Sequence, residues 1–166
     1  MRVPGSEDLV SSRDKVILFA AEGFGLGRIR FAPGTWGSLW GIPLGWGLGY
    51  FDTVWWVRLI VAAAMFAVGV PLCNVAARLR NTKDPGSVVW DEIAAFPLVY
   101  ALVPLNGPRP WIVLIAGFIL FRVFDIWKPP PVRQCDRLTG GFGIMIDDTV
   151  AACYAAACLY LLTHLI

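Results

Sequence analysis

A charged segment enclosed by two apolar runs constrains this sequence more than any other feature. The segment spans residues 121–148 and contains four acidic and four basic residues. The flanking runs, 110–121 and 149–166, contain no Asp, Glu, Lys or Arg. Charges beside hydrocarbon are costly unless they are paired or functional. The segment therefore predicts the main part of an active site at a membrane surface.

The apolar runs indicate an all-α, polytopic membrane helical bundle. Hydrophobic residues make up 57% of the 166 residues, above the ~45–50% of average soluble proteins. Five runs lie at 31–51, 54–77, 93–108, 111–126 and 149–166. The first, third and fourth are short for full spans, so we expect about five apolar helices, some of them short, tilted or re-entrant. We expect a tail at residues 1–13 and a single membrane-embedded domain at 14–166, which begins with a short helix from Asp14 to Glu22.

The positions of the cationic residues predict an orientation. If the N-terminus is cytoplasmic and the five runs alternate across the membrane, every Lys and Arg except Arg58 and Arg109 falls on the cytoplasmic side. This distribution agrees with the positive-inside rule. It also places the two charge-rich connections, 78–92 and 122–148, on one face with the glycine-rich segment 23–38. A net charge of only +2, without a basic and aromatic block, argues against a nucleic-acid partner.

Acidic residues after position 82 gather at the ends of apolar runs rather than on a solvated helix face. They are Asp84, Asp91, Glu92, Asp125, Asp136, Asp147 and Asp148. Carboxylates that gather in this way repel one another, and Mg²⁺ relieves the repulsion by binding a few carboxylates, waters and a substrate phosphate. Ordinary ion pairs with neighbouring Lys and Arg residues are the alternative. Asp84 and Asp91 would share a face if their segment were helical, and Asp147 and Asp148 open the last run.

Two short motifs are suited to binding phosphate. Gly34-Thr35-Trp36-Gly37-Ser38 opens an apolar run, where free N–H groups and hydroxyls suit a phosphate; the alternative is a simple helix cap by Thr35. Gly41 and Gly45, which follow, form a G-x-x-x-G pattern that permits close helix packing. Lys128 precedes three prolines that either stop a helix or fix the lysine over an anion. The single histidine, His164, cannot support a histidine phosphatase or a Ser-His-Asp triad.

Four motifs occur in order within residues 20–160: GFGLGRIRFAPGTWGS, KDPGSVVWDE, FRVFDIWKPPP and GGFGIMIDD. Together they resemble the phosphatidylglycerophosphatase A family. The resemblance implies a Mg²⁺-dependent enzyme of the bacterial inner membrane that faces the cytoplasm. It would hydrolyse the terminal phosphomonoester of phosphatidylglycerophosphate to phosphatidylglycerol and phosphate. Ala95 and Pro130 stand where the family often has a glycine and an aromatic residue; both are packing positions.

The charge pattern and the resemblance together assign expected roles. We expect Mg²⁺ to be held by some of Asp84, Asp91, Glu92, Asp125, Asp147 and Asp148. We expect the substrate phosphate to contact Gly34, Thr35, Ser38, Lys83, Arg122 and Arg133. The expected catalytic residues are Asp125, Lys128, Asp91 and Asp148. Asp125 is favoured as base or nucleophile because it is the acid closest to Lys128 along the chain. We expect Asp136 and Arg137 to be only a solvated loop pair.

Two other functions compete with this hypothesis. A CDP-alcohol phosphatidyltransferase also uses Mg²⁺ and membrane carboxylates, but its D-x2-D-G-x2-A-R pattern is absent. A non-catalytic membrane protein would bind anionic lipid or a cation through the acidic cluster, although a cation pathway would place its acids near mid-span. The expected partners are the phospholipid substrate and the membrane; the sequence predicts no oligomeric state.

Overall fold

The computed structural model describes residues 11–165, and every regular element in this range is helical. This confirms the all-α prediction. The helices are α1 (Ser12–Ala21), α2 (Pro33–Ser38), α3 (Gly41–Tyr50), α4 (Trp55–Arg80), α5 (Trp90–Val99), α6 (Pro110–Trp127), α7 (Val132–Cys135) and α8 (Gly140–Leu165). A 3-10 segment, Gly23–Arg28, joins α1 to α2.

Three of the described helices, α4, α6 and α8, are long and apolar enough to cross a membrane. Apolar side chains such as Ile60, Val68 and Ile119 cover their outward faces, as contact with lipid tails permits. By contrast α3 and α5 contain 10 residues each, which span about 15 Å, half of a ~30 Å hydrocarbon layer. The five apolar runs therefore correspond to α3, α4, α5, α6 and α8, but five full spans are not confirmed.

Helix α8 lies at the centre of the bundle and packs against α4, α5 and α6. Ala151, Ala152 and Ala155 on its inner face have no exposed surface, and their small side chains let the neighbouring helices come close. Aromatic rings pack between α5 and α6, where the ring centroid of Phe96 lies 5.0 Å from that of Phe121. This core holds the ends of α5, α6 and α8 in fixed relative positions.

The glycines of α3 form a close packing surface against α5, as the G-x-x-x-G pattern predicted. A Cβ atom at Gly41 would lie 2.2 Å from the ring of Phe96, and one at Gly45 would lie 2.5 Å from the ring of Tyr100. Distances under 3 Å are not compatible with a side chain, so only glycine permits this approach. The short helix α3 is thereby fixed against the equally short α5.

The predicted N-terminal features are largely present. The helix expected from Asp14 is α1, which starts two residues earlier at Ser12. Residues 1–10 of the expected tail lie outside the described residues. The glycine-rich segment that follows α1 is irregular, as expected, because Phe24 and Gly25 adopt positive φ angles of 60° and 99°.

Two local features differ from what the sequence suggested. The condition under which Asp84 and Asp91 would share a helix face is not met, because Pro85 and Gly86 form a turn, in which the amide of Val88 donates to the carbonyl of Pro85 at 2.8 Å, and α5 begins only at Trp90. The segment 121–148 is not one polar unit either. Helix α6 continues to Trp127 and α8 begins at Gly140, so Asp147 and Asp148 lie inside a helix rather than opening it.

Candidate functional site

One end of the bundle brings together the motifs that are far apart in the sequence. Helices α4 and α6 end there, and α5 and α8 begin there. The hydroxyl of Ser38 contacts Glu92, which is 54 residues away, and Arg122 contacts Ser38 across 84 residues. Lys128, just after α6, contacts Asp147 near the start of α8. The predicted convergence of the segments on one face is therefore present.

Arg122 is the centre of the first polar network. Its Nη1 atom lies 3.0 Å from Glu92 Oε1 and 2.8 Å from Asp125 Oδ2. It also donates to Ser38 Oγ at 3.2 Å, while that hydroxyl donates to Glu92 Oε2 at 2.6 Å. The Arg122 and Asp125 side chains are only 17% and 15% exposed. One guanidinium thus joins α2, α5 and α6, and no described residue forms an ion pair with Asp125 Oδ1.

Gly34 lies against this network. A Cβ atom at this position would lie 2.1 Å from Glu92 Oε1 and 3.3 Å from Arg122 Nη1. The first distance is far below van der Waals contact, and Glu92 cannot move freely because Ser38 and Arg122 hold both of its oxygens. The glycine predicted to contact phosphate is therefore required by the approach of α2 to the carboxylate.

Substitution of Gly34 tests this arrangement. We expect Gly34→Ala to displace Glu92, to lower the free energy of unfolding by about 1–3 kcal/mol and to reduce turnover. Gly47→Ala is the matched control, because a Cβ at Gly47 meets nothing within 4 Å and alanine favours a helix by roughly 0.5–1 kcal/mol over glycine. Denaturant unfolding of both variants measures the difference. Equal stabilities for the two variants would contradict the close contact with Glu92.

Lys128 is the centre of the second polar network. Its Nζ atom lies 2.5 Å from Asp136 Oδ1 and 3.0 Å from Asp147 Oδ2, and Lys83 Nζ donates to the backbone carbonyl of Asp136. Burial alone would lower the pKa of Lys128, but its bonds to Asp136 and Asp147 outweigh burial and raise the pKa. The ammonium therefore stays charged at any physiological pH.

This network corrects two sequence predictions. Lys128 pairs with Asp147 and Asp136, whereas Asp125 pairs with Arg122. The acid closest to Lys128 along the chain is therefore not its partner in the fold. Lys128 ends α6 with a left-handed φ of 48°, which turns the chain away from Asp125. Asp136 is not merely a solvated loop residue, because the bond to Lys128 lowers its pKa.

Three of the predicted metal ligands have no cationic partner among the residues that the structure describes. Within residues 11–165, no Lys, Arg or His nitrogen lies within ion-pair distance of Asp84, Asp91 or Asp148. Asp148 is only 4% exposed. Burial raises the pKa of Asp91 well above its usual range, and the charges of Glu92 and Asp84 raise it further. These carboxylates repel one another unless a cation or protons compensate.

The donor chemistry of these residues fits Mg²⁺. In the described part of the chain, no group of three or more His, Cys, Asp or Glu side chains is arranged to hold a metal ion on its own. Mg²⁺ does not need such a cage, because it keeps several waters and binds one or two carboxylates together with a substrate phosphate. Hard carboxylate oxygens are the donors that it prefers.

Two predicted phosphate contacts are not part of either network. Arg133 lies exposed on α7 and forms no ion pair with any described residue. The amide of Thr35 already donates to the carbonyl of Ala32 at 3.0 Å, so the start of α2 offers fewer free donors than the sequence suggested. Of that motif, Gly34 and Ser38 contact the polar network.

A third polar cluster was missed from the sequence. Glu22, which has no exposed surface, accepts a hydrogen bond from Arg28 Nε at 2.6 Å and pairs with Arg80. Ser87 also donates to it at 3.2 Å. The only sequence signal was a lone glutamate at the end of the apolar helix α1, before a glycine. The cluster attaches the 3-10 segment to the end of α4 at the same end of the bundle.

Comparison with known proteins identifies relatives. The sequence model of the family described as Phosphatidylglycerophosphatase A matches residues 19–163. A protein of that name from Escherichia coli strain K12 is 39% identical over 98% of this chain and 94% of its own length. One from Haemophilus influenzae is 43% identical over 87% and 86%. A Bacteroides thetaiotaomicron protein named "Putative phosphatidylinositol-3-phosphatase" is 39% identical over 80% and 84%. No solved structure matches the chain.

Proposed function

This chain belongs to the phosphatidylglycerophosphatase A family and is a phosphatase; from that premise we propose its substrate, metal and catalytic residues. The proposed reaction is hydrolysis of the terminal phosphomonoester of phosphatidylglycerophosphate, which gives phosphatidylglycerol and phosphate. The observation that carries the proposal is the cluster of carboxylates, Asp84, Asp91 and Asp148, that pair with no described cation and lie at the same end of the apolar bundle as Arg122 and Lys128. A divalent cation would neutralise the carboxylates, and a phosphate would neutralise the positive charges of Arg122 and Lys128.

We propose that one or two of Asp84, Asp91 and Asp148 bind Mg²⁺ together with waters and the substrate phosphate, because these are the acids without a cationic partner among the described residues. Asp147, Glu92 and Asp125 complete the negative surface around them. When bound, the ion would neutralise phosphate charge and polarise the phosphorus for attack. Mg²⁺ also explains how these acids can lie near one another at neutral pH, since no lysine or arginine among the described residues forms an ion pair with them.

Asp125 is the proposed general base. Arg122 holds Asp125 Oδ2 at 2.8 Å, which orients the carboxylate and leaves Oδ1 to accept a proton from water. The water oxygen forms a bond to phosphorus as the bond from phosphorus to the glycerol oxygen breaks. The proton held by Asp125 then passes to the departing glycerol oxygen. Arg122 therefore both positions the base and contributes positive charge to the phosphoryl group.

The remaining cations would bind the phosphate. Lys128 keeps its charge through Asp136 and Asp147, and Lys83 lies beside it through the Asp136 carbonyl. Ser38 supplies a hydroxyl between Arg122 and Glu92. Gly34 allows α2 to approach them. Thr35 and Arg133 complete the proposed phosphate contacts only if substrate binding reorients them, because neither contacts these networks.

The surroundings of the site suit a lipid substrate. A cavity of about 210 Å³ lies between α4, α5 and α8, lined by apolar residues and by Thr149, which directly follows Asp148. Acyl chains would lie along the apolar helices while the head group occupies the polar end. We propose that the protein is located in the bacterial inner membrane with this end in the cytoplasm, in agreement with the positive-inside distribution of Lys and Arg.

The test is phosphate release by the purified full chain in detergent, with excess Mg²⁺. Release from phosphatidylglycerophosphate at a rate well above that from phosphatidylinositol 3-phosphate is the expected result. The second lipid is included because one relative carries that lipid in its name. Faster release from phosphatidylinositol 3-phosphate would replace the proposed substrate. Failure to release phosphate from either lipid, with folded protein verified by circular dichroism, would contradict the proposed reaction.

A further inference from the structure

A cavity lined by cationic side chains lies outside the carboxylate cluster. It measures about 630 Å³ and is lined by Arg28, Arg30 and Arg80, together with Ser87 and neighbouring backbone. Pockets of this size commonly bind small ligands. Neither of the Arg122 and Lys128 networks includes any of these residues. The cavity is therefore a separate polar feature at the same end of the bundle.

The cavity keeps a net positive charge after Glu22 has paired with two of its arginines. The single carboxylate of Glu22 accepts from Arg28 and pairs with Arg80. Each guanidinium has five N–H donors, so both arginines keep donors for a ligand, and their side chains are 56% and 45% exposed. Arg30 forms no ion pair or side-chain hydrogen bond with any described residue. Three cations and one anion leave a net charge of +2, which favours an anion with several oxygen acceptors.

The position of the cavity indicates that the anion is at a membrane surface. Arg80 is the last residue of α4, a helix whose 26 residues extend about 39 Å and exceed the ~30 Å hydrocarbon layer. Its last turn therefore reaches the level of lipid phosphates. Phe31, beside Arg30, is 83% exposed, and Ile29 and Trp36 are also exposed. Exposed aromatic residues at this level are typical of the membrane interface.

We propose that the cavity of Arg28, Arg30 and Arg80 binds the phosphodiester head group of an anionic phospholipid, separately from the carboxylate site. The arginine donors bind the phosphate oxygens, and the exposed Ile29 and Phe31 side chains enter the acyl-chain region beside it. The lipid is a bound neighbour and undergoes no reaction there. This site would anchor the segment between α1 and α2, and α2, which follows directly, contributes Gly34 and Ser38 to the carboxylate site.

Lipid binding by the full-length protein in detergent tests the proposal without reference to turnover. The probes are dioleoylphosphatidylserine, an anionic phosphodiester that is neither substrate nor product of the proposed reaction, and dioleoylphosphatidylcholine. Native mass spectrometry measures their dissociation constants. We expect Arg30→Ala to weaken phosphatidylserine binding about tenfold, as the loss of a charge-assisted hydrogen bond does, and to leave phosphatidylcholine binding unchanged. Arg109→Ala, at the opposite end of the bundle, is the matched control and is expected to leave both constants unchanged.

Two results would overturn the proposal. The first is an unchanged affinity of Arg30→Ala for phosphatidylserine, since Arg30 is the cation with no internal partner among the described residues. The second is displacement of phosphatidylserine by an equal concentration of inorganic phosphate, because the cavity would then bind free phosphate and the apolar side chains beside it would contribute nothing. Neither result depends on whether the carboxylate site hydrolyses a lipid, so the two proposals fail independently.

Discussion

The Asp91→Asn variant is expected to lose phosphate release by at least about 10³-fold and, without Mg²⁺, to melt at a higher temperature than the wild type. These opposite effects arise from one cause. Asp91 is held beside Glu92 and Asp84, and the pKa of its carboxyl is raised well above the usual range. An arrangement of this kind stores repulsion in the free protein, which a bound cation relieves.

The sign of the stability change follows from linkage. The pKa of Asp91 is higher in the folded protein than in the unfolded chain, so the folded state binds the proton more tightly. The favourable contribution of the protonated form is present at low pH and is lost as the pH rises through the folded-state pKa. At neutral pH the neutral asparagine avoids this loss, so we expect the free energy of unfolding to rise in the absence of Mg²⁺.

The matched control is Asp52→Asn at the opposite end of the bundle. Asp52 is exposed and accepts a hydrogen bond from Asn106 at 2.8 Å, and asparagine tolerates its positive φ of 46°. This variant is expected to keep full turnover and not to melt above the wild type, because the charge of Asp52 favours the charged form of the buried Arg58. Thermal unfolding and phosphate release of both variants, with and without Mg²⁺, give the comparison. An Asp91→Asn protein that melts lower than the wild type without Mg²⁺ would mean that Asp91 stabilises the fold rather than storing repulsion.

The second large effect is expected at Arg122. Removing its charge in Arg122→Gln leaves Glu92 and Asp125 without their only cationic partner among the described residues. We expect the free energy of unfolding to fall by about 3 kcal/mol, as when one partner of a buried ion pair is removed. Turnover is expected to fall by about 10²–10³-fold, because the base is no longer oriented and a donor to the phosphoryl group is lost.

A double variant separates the two contributions. In Arg122→Gln/Glu92→Gln one of the two carboxylates left unpaired by the first substitution is replaced by a neutral amide, so we expect part of the lost stability to return. Turnover is not expected to return, because Asp125 still lacks the guanidinium that holds Oδ2. Urea unfolding and phosphate release are the two measurements. If stability and turnover both recovered in the double variant, Arg122 would act only through the packing of the bundle and would have no part in the reaction.

The sequence predicted the helices and the meeting of distant motifs because both depend on patterns that span many residues. Apolar runs located α3, α4, α5, α6 and α8, and the G-x-x-x-G spacing predicted a close helix contact, for which the fold supplies α5 as the partner of α3. The alternation of charged connections placed Ser38, Glu92 and Arg122 on one face before their contacts were known. These are consequences of burial and periodicity, which composition and spacing encode directly.

The partners of individual side chains could not be predicted in the same way. Lys128 is three residues from Asp125, yet its left-handed backbone directs it to Asp147 and Asp136. Glu22 was overlooked because its partners, Arg28 and Arg80, lie at the ends of different segments that only the fold brings together. Side-chain pairing depends on local backbone angles at helix ends, and periodicity carries no information about those angles.

The most direct test of the proposed site is the dependence of phosphate release on free Mg²⁺ concentration, measured for the wild type and for Asp148→Asn. Asp148 is 4% exposed and has no cationic partner among residues 11–165. We predict that wild-type release from phosphatidylglycerophosphate saturates with Mg²⁺ and stops when EDTA is added. Asp148→Asn should require far more Mg²⁺ or release no phosphate at any concentration. Undiminished wild-type release in EDTA, or an Asp148→Asn curve that coincides with that of the wild type, would contradict a carboxylate-held Mg²⁺ site.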